Sequence, residues 1–323
     1  MSKQQDIAIA QKAVPSNKTN SWQSFVRYFM QNKWLYILLI PGMAFFIIFN
    51  YIPMYGIVIA FKDFDVVKGI GASPWIGLEN FRYLFKSQDF YEVFRNSLLI
   101  SLYRLIWGFP APILLAIMLN EVKNITFKRT VQTIVYLPHF ISWVVIAGIV
   151  FNFLSPSNGI INYIITEVFG GKAIPFLQKP EYFRSIIVIS DIWKETGWGT
   201  IIYLAAMAGI DPELYEAAIM DGASRMQRIR YITLPGIIGT ITVLFILRMG
   251  SVLRNGFEQI FLLYNPLVYE VADVFETYTY RVGLLEGRFS YSTAVGIFQS
   301  VIGLILILTT NKLAKKYGEG GLW

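Results

Sequence analysis

The chain has 323 residues, of which 55% are hydrophobic and only 15% charged, with a mean hydropathy of +0.50. A soluble domain carries about a quarter charged residues, so this balance excludes one. The absence of cysteine excludes disulfides, thiolate catalysis and cysteine metal sites, and the net charge of +7 raises the question of a polyanion partner.

Apolar runs of about twenty residues recur, each long enough to cross ~30 Å of hydrocarbon as a helix. They are continuous and do not alternate at period two, which argues against a transmembrane barrel. The expected fold class is an all-α integral membrane protein with six transmembrane helices. Residues 1–33, rich in Gln, Lys, Asn and Ser, read as a flexible N-tail. A first span at 34–61 and an external loop fill residues 34–95. That span is too long, and preceded by too much polar chain, to be a signal peptide. Pro41 and Pro53 lack a backbone donor and are expected to bend it or end it early. The region 96–312 holds the other spans, at about 97–119, 131–154, 184–209, 235–256 and 291–311, and residues 313–323 form a C-tail.

Six spans put both termini on one side of the membrane. The short loops on that side carry Lys123, Lys128 and Arg129, then Arg225, Arg228 and Arg230, so it is read as cytoplasmic. This bias accounts for much of the basic charge without any nucleic-acid partner. Trp34, Trp75, Trp107 and Trp143 lie near span ends or within spans, and the terminal ones read as interfacial anchors against membrane lipid. The external loops at 62–96, 155–183 and 257–290 are too short for a separate domain but long enough to form a docking surface. The single histidine, His139, follows Pro138 near the start of an apolar run. With no carboxylate nearby in sequence it reads as packed or interfacial, not as a metal ligand.

Between the fourth and fifth spans lies the segment EAAIMDGASRMQRIRYITLP, Glu216 to Pro235. Asp211 suits an N-cap, Pro212 the first helical position, and Glu213 the positive end of the helix. Leu214, Ala217, Ala218 and Ile219 give a short apolar face, and Gly222 can stop the helix in a left-handed conformation. A second helical piece, from about Ser224 to Ile232, carries the arginines, and Pro235 is expected to stop it and open the next span. On physics alone an amphipathic surface helix and a handle for another subunit fit equally well.

The spacing Glu216-Ala217-Ala218, three residues, Gly222, nine residues, Ile232-x-Leu234-Pro235 resembles the EAA loop of binding-protein-dependent ABC importer permeases. The segments PGMAFFIIFNYIPMYGIVIAFKDF and FEQIFLLYNPLVYEVADV are similar to those of sugar-importer permeases related to MalF, within them the LplB-like group associated with oligosaccharide or polysaccharide-fragment uptake. The chain lacks the large extra external domain of the maltose permease, so docking details of that protein do not carry over. The resemblance implies a type I ABC importer permease, multi-pass in a bacterial cell membrane. It would pair with a second, homologous permease, sit above two ATPase subunits, and receive carbohydrate from an extracellular solute-binding protein. It further implies that 96–312 is the permease core and that Glu216, Ala217, Ala218, Asp221, Gly222, Ala223 and Arg225 belong to a coupling helix seated in an ATPase groove. The arginines read equally as positive-inside anchors.

No catalytic or cofactor-binding pattern is evident. Gly170-Gly171-Lys172 lacks the hydroxyl residue and glycine spacing of a phosphate loop, and there is no GxSxG or HExxH. By the resemblance, ATP and Mg would be bound by the partner ATPases.

Charges within spans are rare and cost ~2.5–3.5 kcal/mol each on insertion scales. Asp191, Lys194, Glu195 and Trp198 recur at helical spacing in span four, as do Arg248, Ser251, Asn255 and Glu258 in and beyond span five. Lys194 is expected to neutralise a neighbouring acid and Arg248 to pair with span four. One reading is a buried ion network. The other is a polar cavity in which acids and amides meet sugar hydroxyls and Trp198 or Tyr203 lies against a sugar CH face. Arg104 fits either a snorkelling role or the cavity. The positive charges would equally serve an acidic sugar such as a uronate fragment. Competing classes are an importer permease for a non-sugar solute, a six-span secondary transporter, for which no inverted repeat is obvious, and a membrane enzyme.

Overall fold

The computed structural model describes residues 26, 28–316 and 321–322. The expected N-tail thus falls almost wholly outside the described residues, as does most of the C-tail. Every regular element among the described residues is helical, and strand-like pairing is limited to one isolated bridge between Lys62 and Trp75. The chain comprises two compact units, residues 1–57 and 58–323.

In the first unit, α1 (Lys33–Phe46) carries Pro41 in its interior and runs into a π-helical turn at Ile47–Tyr51. Neither proline ends the segment, which stays helical from Lys33 to Phe61. The wide turn explains why Pro53 is tolerated, because it relieves the carbonyl that the proline ring would otherwise strike.

In the second unit, α2 (Gln88–Tyr103) and α3 (Pro110–Glu121) are joined by a π-helical turn, Arg104–Gly108, into one apolar helix of 34 residues. Then α4 (Ile125–Tyr136) and α5 (Trp143–Leu154) follow. The sequence predicts one span over 131–154, but the structure breaks it, with the two helices bent by 104°. Pro138 supplies no N–H, Ile141 turns extended, and Ser142 caps α5 by accepting from the Val145 N–H.

The 29-residue helix α6 (Pro180–Ala208) starts on a proline at its first position. After it come α7 (Pro212–Met220) and α8 (Leu234–Gly250). Pro235 does not stop the chain as expected, since residues Arg225–Gly250 form one helix. A π-helical turn at Ile229–Thr233 precedes the proline and absorbs the clash its ring would cause. Gly256, with φ +76°, opens α9 (Phe257–Leu263), and α10 (Phe289–Lys316) closes the fold.

By length and composition, four described helices can cross a membrane, or five if the bent pair α4–α5 is one span. The long helix missing from that count is α6, which carries Asp191, Lys194 and Glu195 in its middle. It is also the helix that organises the unit. Ile100, Phe183, Ile187 and Ile260 join α2, α6 and α9, while Ala116, Tyr203, Met207 and Ile237 join α3, α6 and α8. A Cβ at Gly197 would collide with the Val135 carbonyl oxygen, so α6 and α4 touch backbone to backbone. Apolar packing thus holds a charged helix in the interior, and the bundle must satisfy those charges from within.

Candidate functional site

A cleft of about 410 Å³ opens along α6, lined among others by Arg104, Asp191, Glu195, Trp198, Arg248 and Asn255. Arg104 is its anchor. The residue sits at the start of the π-helical turn, is 4% exposed, and donates from Nη1 to the Asn255 carbonyl at 2.6 Å and from Nη2 to Gln259 Oε1. Its Nε lies 3.5 Å from Asp191 Oδ2 without a well-formed hydrogen bond. The surrounding amides are fixed in turn. Asn255 Nδ2 donates to the Ser97 carbonyl at 3.1 Å, and Gln259 Nε2 donates to the Ile187 carbonyl and Ser190 Oγ, both at 2.8 Å. A buried guanidinium is tolerable only with such compensation, and here it joins α2, α6 and α9. Arg104 therefore borders the cavity and does not snorkel.

On the other flank, Nδ1 of His139 lies 3.0 Å from Glu195 Oε2. An ionised carboxylate only accepts, so Nδ1 carries the proton of this bond. The imidazole stacks on Trp198, with centroids 4.5 Å apart and planes at 4°. One indole face is therefore taken and the ring is fixed, while Trp198 remains 45% exposed. The histidine that lacks an acid nearby in sequence has one in space.

The structure does not bring all the sequence-predicted residues together. Asp191, Glu195, Trp198, Arg248 and Asn255 share the cleft. Among the described residues, Lys194 pairs with no acid. It is buried and donates from Nζ to the His139 and Ile141 carbonyls at 2.7 and 2.6 Å, satisfying the break between α4 and α5. Tyr203 is buried among Ala116, Met207 and Ile237, away from the lining. The expected helical face from Arg248 to Glu258 does not form, because α8 ends at Gly250 and the chain restarts after Gly256. Ser251 accordingly folds back on the Arg248 carbonyl at 3.3 Å, and Glu258 is exposed outside the lining. Arg248 forms no ion pair with span four. Among the described residues it has no carboxylate within 4.0 Å. Sequence reasoning missed Thr196, Arg254 and Gln259, which also line the cleft. Gln259 left a signal, a lone amide inside the apolar run FEQIFLL.

Behind the cleft, Glu276 Oε1 accepts from the Asn255 N–H and from Gln299 Nε2, both at 3.1 Å. Among the described residues its buried Oε2 has no partner, and burial pushes this carboxyl above the usual range against the opposing pull of those hydrogen bonds and of Arg104.

The second candidate region is the segment after α6. Asp211 accepts from the Glu213 N–H at 3.0 Å and caps α7. At its far end the Ala223 N–H reaches the Ala218 carbonyl at 2.9 Å and Gly222 has φ +76°, a left-handed stop. Ser224 and Gln227 then form a reciprocal capping box for Arg225–Arg228. The Tyr215 hydroxyl lies 2.9 Å from Thr233 Oγ1 and ties α7 to the next helix. No residue of α7 is buried, and Leu214, Ile219 and Met220 expose 53%, 54% and 87% of their surface. Glu216, Ala217, Asp221 and Arg225 are exposed as well, with Ala218 and Ala223 half-buried.

Apolar helices around one charged cleft, with a capped, unburied helix projecting between two of them, define a membrane transport subunit. Residues 108–318 match the family described as "Binding-protein-dependent transport system inner membrane component", and the chain belongs to that family. It is 48% identical over 308 residues to Protein LplB of Bacillus subtilis (strain 168), covering 95% of this chain and 96% of the relative. It is also 48% identical over 294 residues to the polygalacturonan/rhamnogalacturonan transport system permease protein YteP of the same organism, covering 91% of each. Among solved structures, it resembles a chain of a bacterial ABC transporter involved in import of the acidic polysaccharide alginate. The TM-score is 0.84 at 45% identity, over 91% of this chain and 99% of that one. A chain of the bacterial alginate transporter in complex with an alginate pentasaccharide-bound periplasmic protein gives 0.85 at 44% identity, over 92% and 99%. The LplB-like sugar-permease resemblance read from the sequence is thereby established, as are the all-helical permease fold and a place in the cell membrane.

Proposed function

We propose that this chain is one of two permease subunits of an ATP-driven importer that takes up an oligosaccharide or polysaccharide fragment delivered by a solute-binding protein. The observation that carries this reading is the cleft. It offers carboxylates and amides for hydroxyls beside a preset indole plate, a combination that suits a sugar ring better than a lipid. The carbohydrate transport named for YteP and for the alginate transporter supports it.

On this reading the chain crosses the membrane six times with both termini cytoplasmic, and α6 is the span whose charges disguise it. The segment from Glu216 to Arg225 is a coupling helix that seats in an ATPase groove. Two ATPase subunits bind ATP and Mg, and this chain performs no hydrolysis of its own. Nucleotide binding favours one of two permease states, and the capped, rigid α7 transmits the shift.

The test is uptake in proteoliposomes holding both permeases and both ATPases, with the solute-binding protein outside. Accumulation of labelled oligosaccharide should require ATP, the binding protein and this chain. Accumulation driven by an ion gradient without ATPases would overturn the reading.

A further inference from the structure

Most charges facing the cleft are already engaged. Asp191 faces Arg104, Glu195 receives His139, and Arg104 is held by Asn255 and Gln259. Lys194 is turned into the helix break. Two lining groups remain. Arg248 is half-buried in the last turn of α8, and Arg254 is exposed in the segment that follows. Among the described residues, neither side chain donates a hydrogen bond and neither has a carboxylate within 4.0 Å. Both guanidiniums line the cleft without a protein partner among the described residues, so they are open to an anionic group that enters it.

We propose that Arg248 and Arg254 are specificity-determining residues that bind the carboxylate of a uronic-acid sugar, while Arg104 is structural and takes no part in that choice. This rests on the carbohydrate reading of the same cleft and adds the charge of the substrate and the groups that read it. The chemistry is specific, because a guanidinium fork matches a carboxylate with two parallel hydrogen bonds. Trp198, 45% exposed, is left for the neutral face of the ring. Of the lining acids, Asp191 lies opposite Arg104 and Glu195 is hydrogen-bonded to His139.

The experiment measures direct binding to the purified complex of two permeases and two ATPases, without the solute-binding protein, so that the latter's own selectivity does not intrude. The probes are a uronate tetrasaccharide and its carboxyl-reduced, neutral counterpart of equal length. The unaltered complex should prefer the charged probe by roughly tenfold or more, as expected for charge-assisted hydrogen bonds. The double variant Arg248→Gln/Arg254→Gln should bring the ratio of affinities close to one, and Arg248→Lys/Arg254→Lys should keep part of it. A preference that survives the double glutamine variant, or a loss equal for both probes, would overturn the proposal. An unaltered complex that binds the two probes equally, or binds neither, while importing carbohydrate through its binding protein would also overturn it and leave the proposed function standing. Absence of any ATP-dependent carbohydrate uptake would instead remove the proposed function itself.

Discussion

The handle and the cleft are built by opposite means. In α7 the capping bonds close over five residues or fewer, with the contact between Tyr215 and Thr233 as the one longer tie described above. In the cleft, Arg104 reaches Asn255, 151 residues away, and Lys194 reaches carbonyls 53 to 55 residues away. The handle buries nothing, whereas the cleft rests on a buried guanidinium. A local, exposed element can fail in its coupling while the chain still folds. A long-range buried network fails in folding first.

The sharpest way to break this contrast is at Arg104. Arg104→Met removes the charge that Asp191, Gln259 and the Asn255 carbonyl are arranged around. Breaking a buried pair by removing one partner costs about 3–5 kcal/mol. The expected outcome is a large drop in the melting temperature of the detergent-solubilised complex and loss of assembly. A variant that assembles and melts like the unaltered complex would show that the network is dispensable.

The handle predicts a smaller and differently placed effect. A Cβ at Gly222 would meet nothing within 4 Å, so the cost of a side chain there is conformational only. Holding a non-glycine residue at φ +76° costs roughly 1–2 kcal/mol. Gly222→Val should therefore leave the melting temperature of the permease pair nearly intact. It should reduce ATPase co-purification or the coupling of hydrolysis to uptake, measured as sugar imported per ATP. Normal coupling in this variant would detach the handle from its proposed role.

The same contrast explains what could be read in advance. The stop at Gly222 and the cap at Asp211 are written in neighbouring residues, as is the apolar length of most spans. The break between α4 and α5 was not legible, although Pro138 marks it, because the group that satisfies the freed carbonyls is Lys194 on another helix. The helical continuity through Pro53 and Pro235 depends on wide turns that no residue type announces. In the cleft, spacing along α6 placed Asp191, Glu195 and Trp198 together. Carrying a helical period past Gly250 wrongly grouped Ser251 and Glu258 with Arg248. His139 read as packed or interfacial, and its bond to Glu195 was not legible because that acid lies 56 positions away.

The smallest effect concerns Glu276, which holds the Asn255 N–H from behind the cleft. Burial raises its carboxyl pKa above the ordinary glutamate value of 4.5. Below that value the carboxyl is protonated in folded and unfolded chains alike and contributes no pH dependence. As pH rises, the unfolded chain ionises first, so stability falls until the raised folded value is passed and is constant beyond it. Glu276→Gln keeps an oxygen to accept from Asn255 and Gln299 while removing the charge. The variant complex should melt above the unaltered one at pH 8, with the gap closing as pH approaches about 4.5. A gap that is the same at both ends of the range would mean that the carboxylate is fully compensated where it lies, with Arg104 stabilising it as effectively as water does. The network around Arg104 would then extend to Glu276 as a second ion pair in substance.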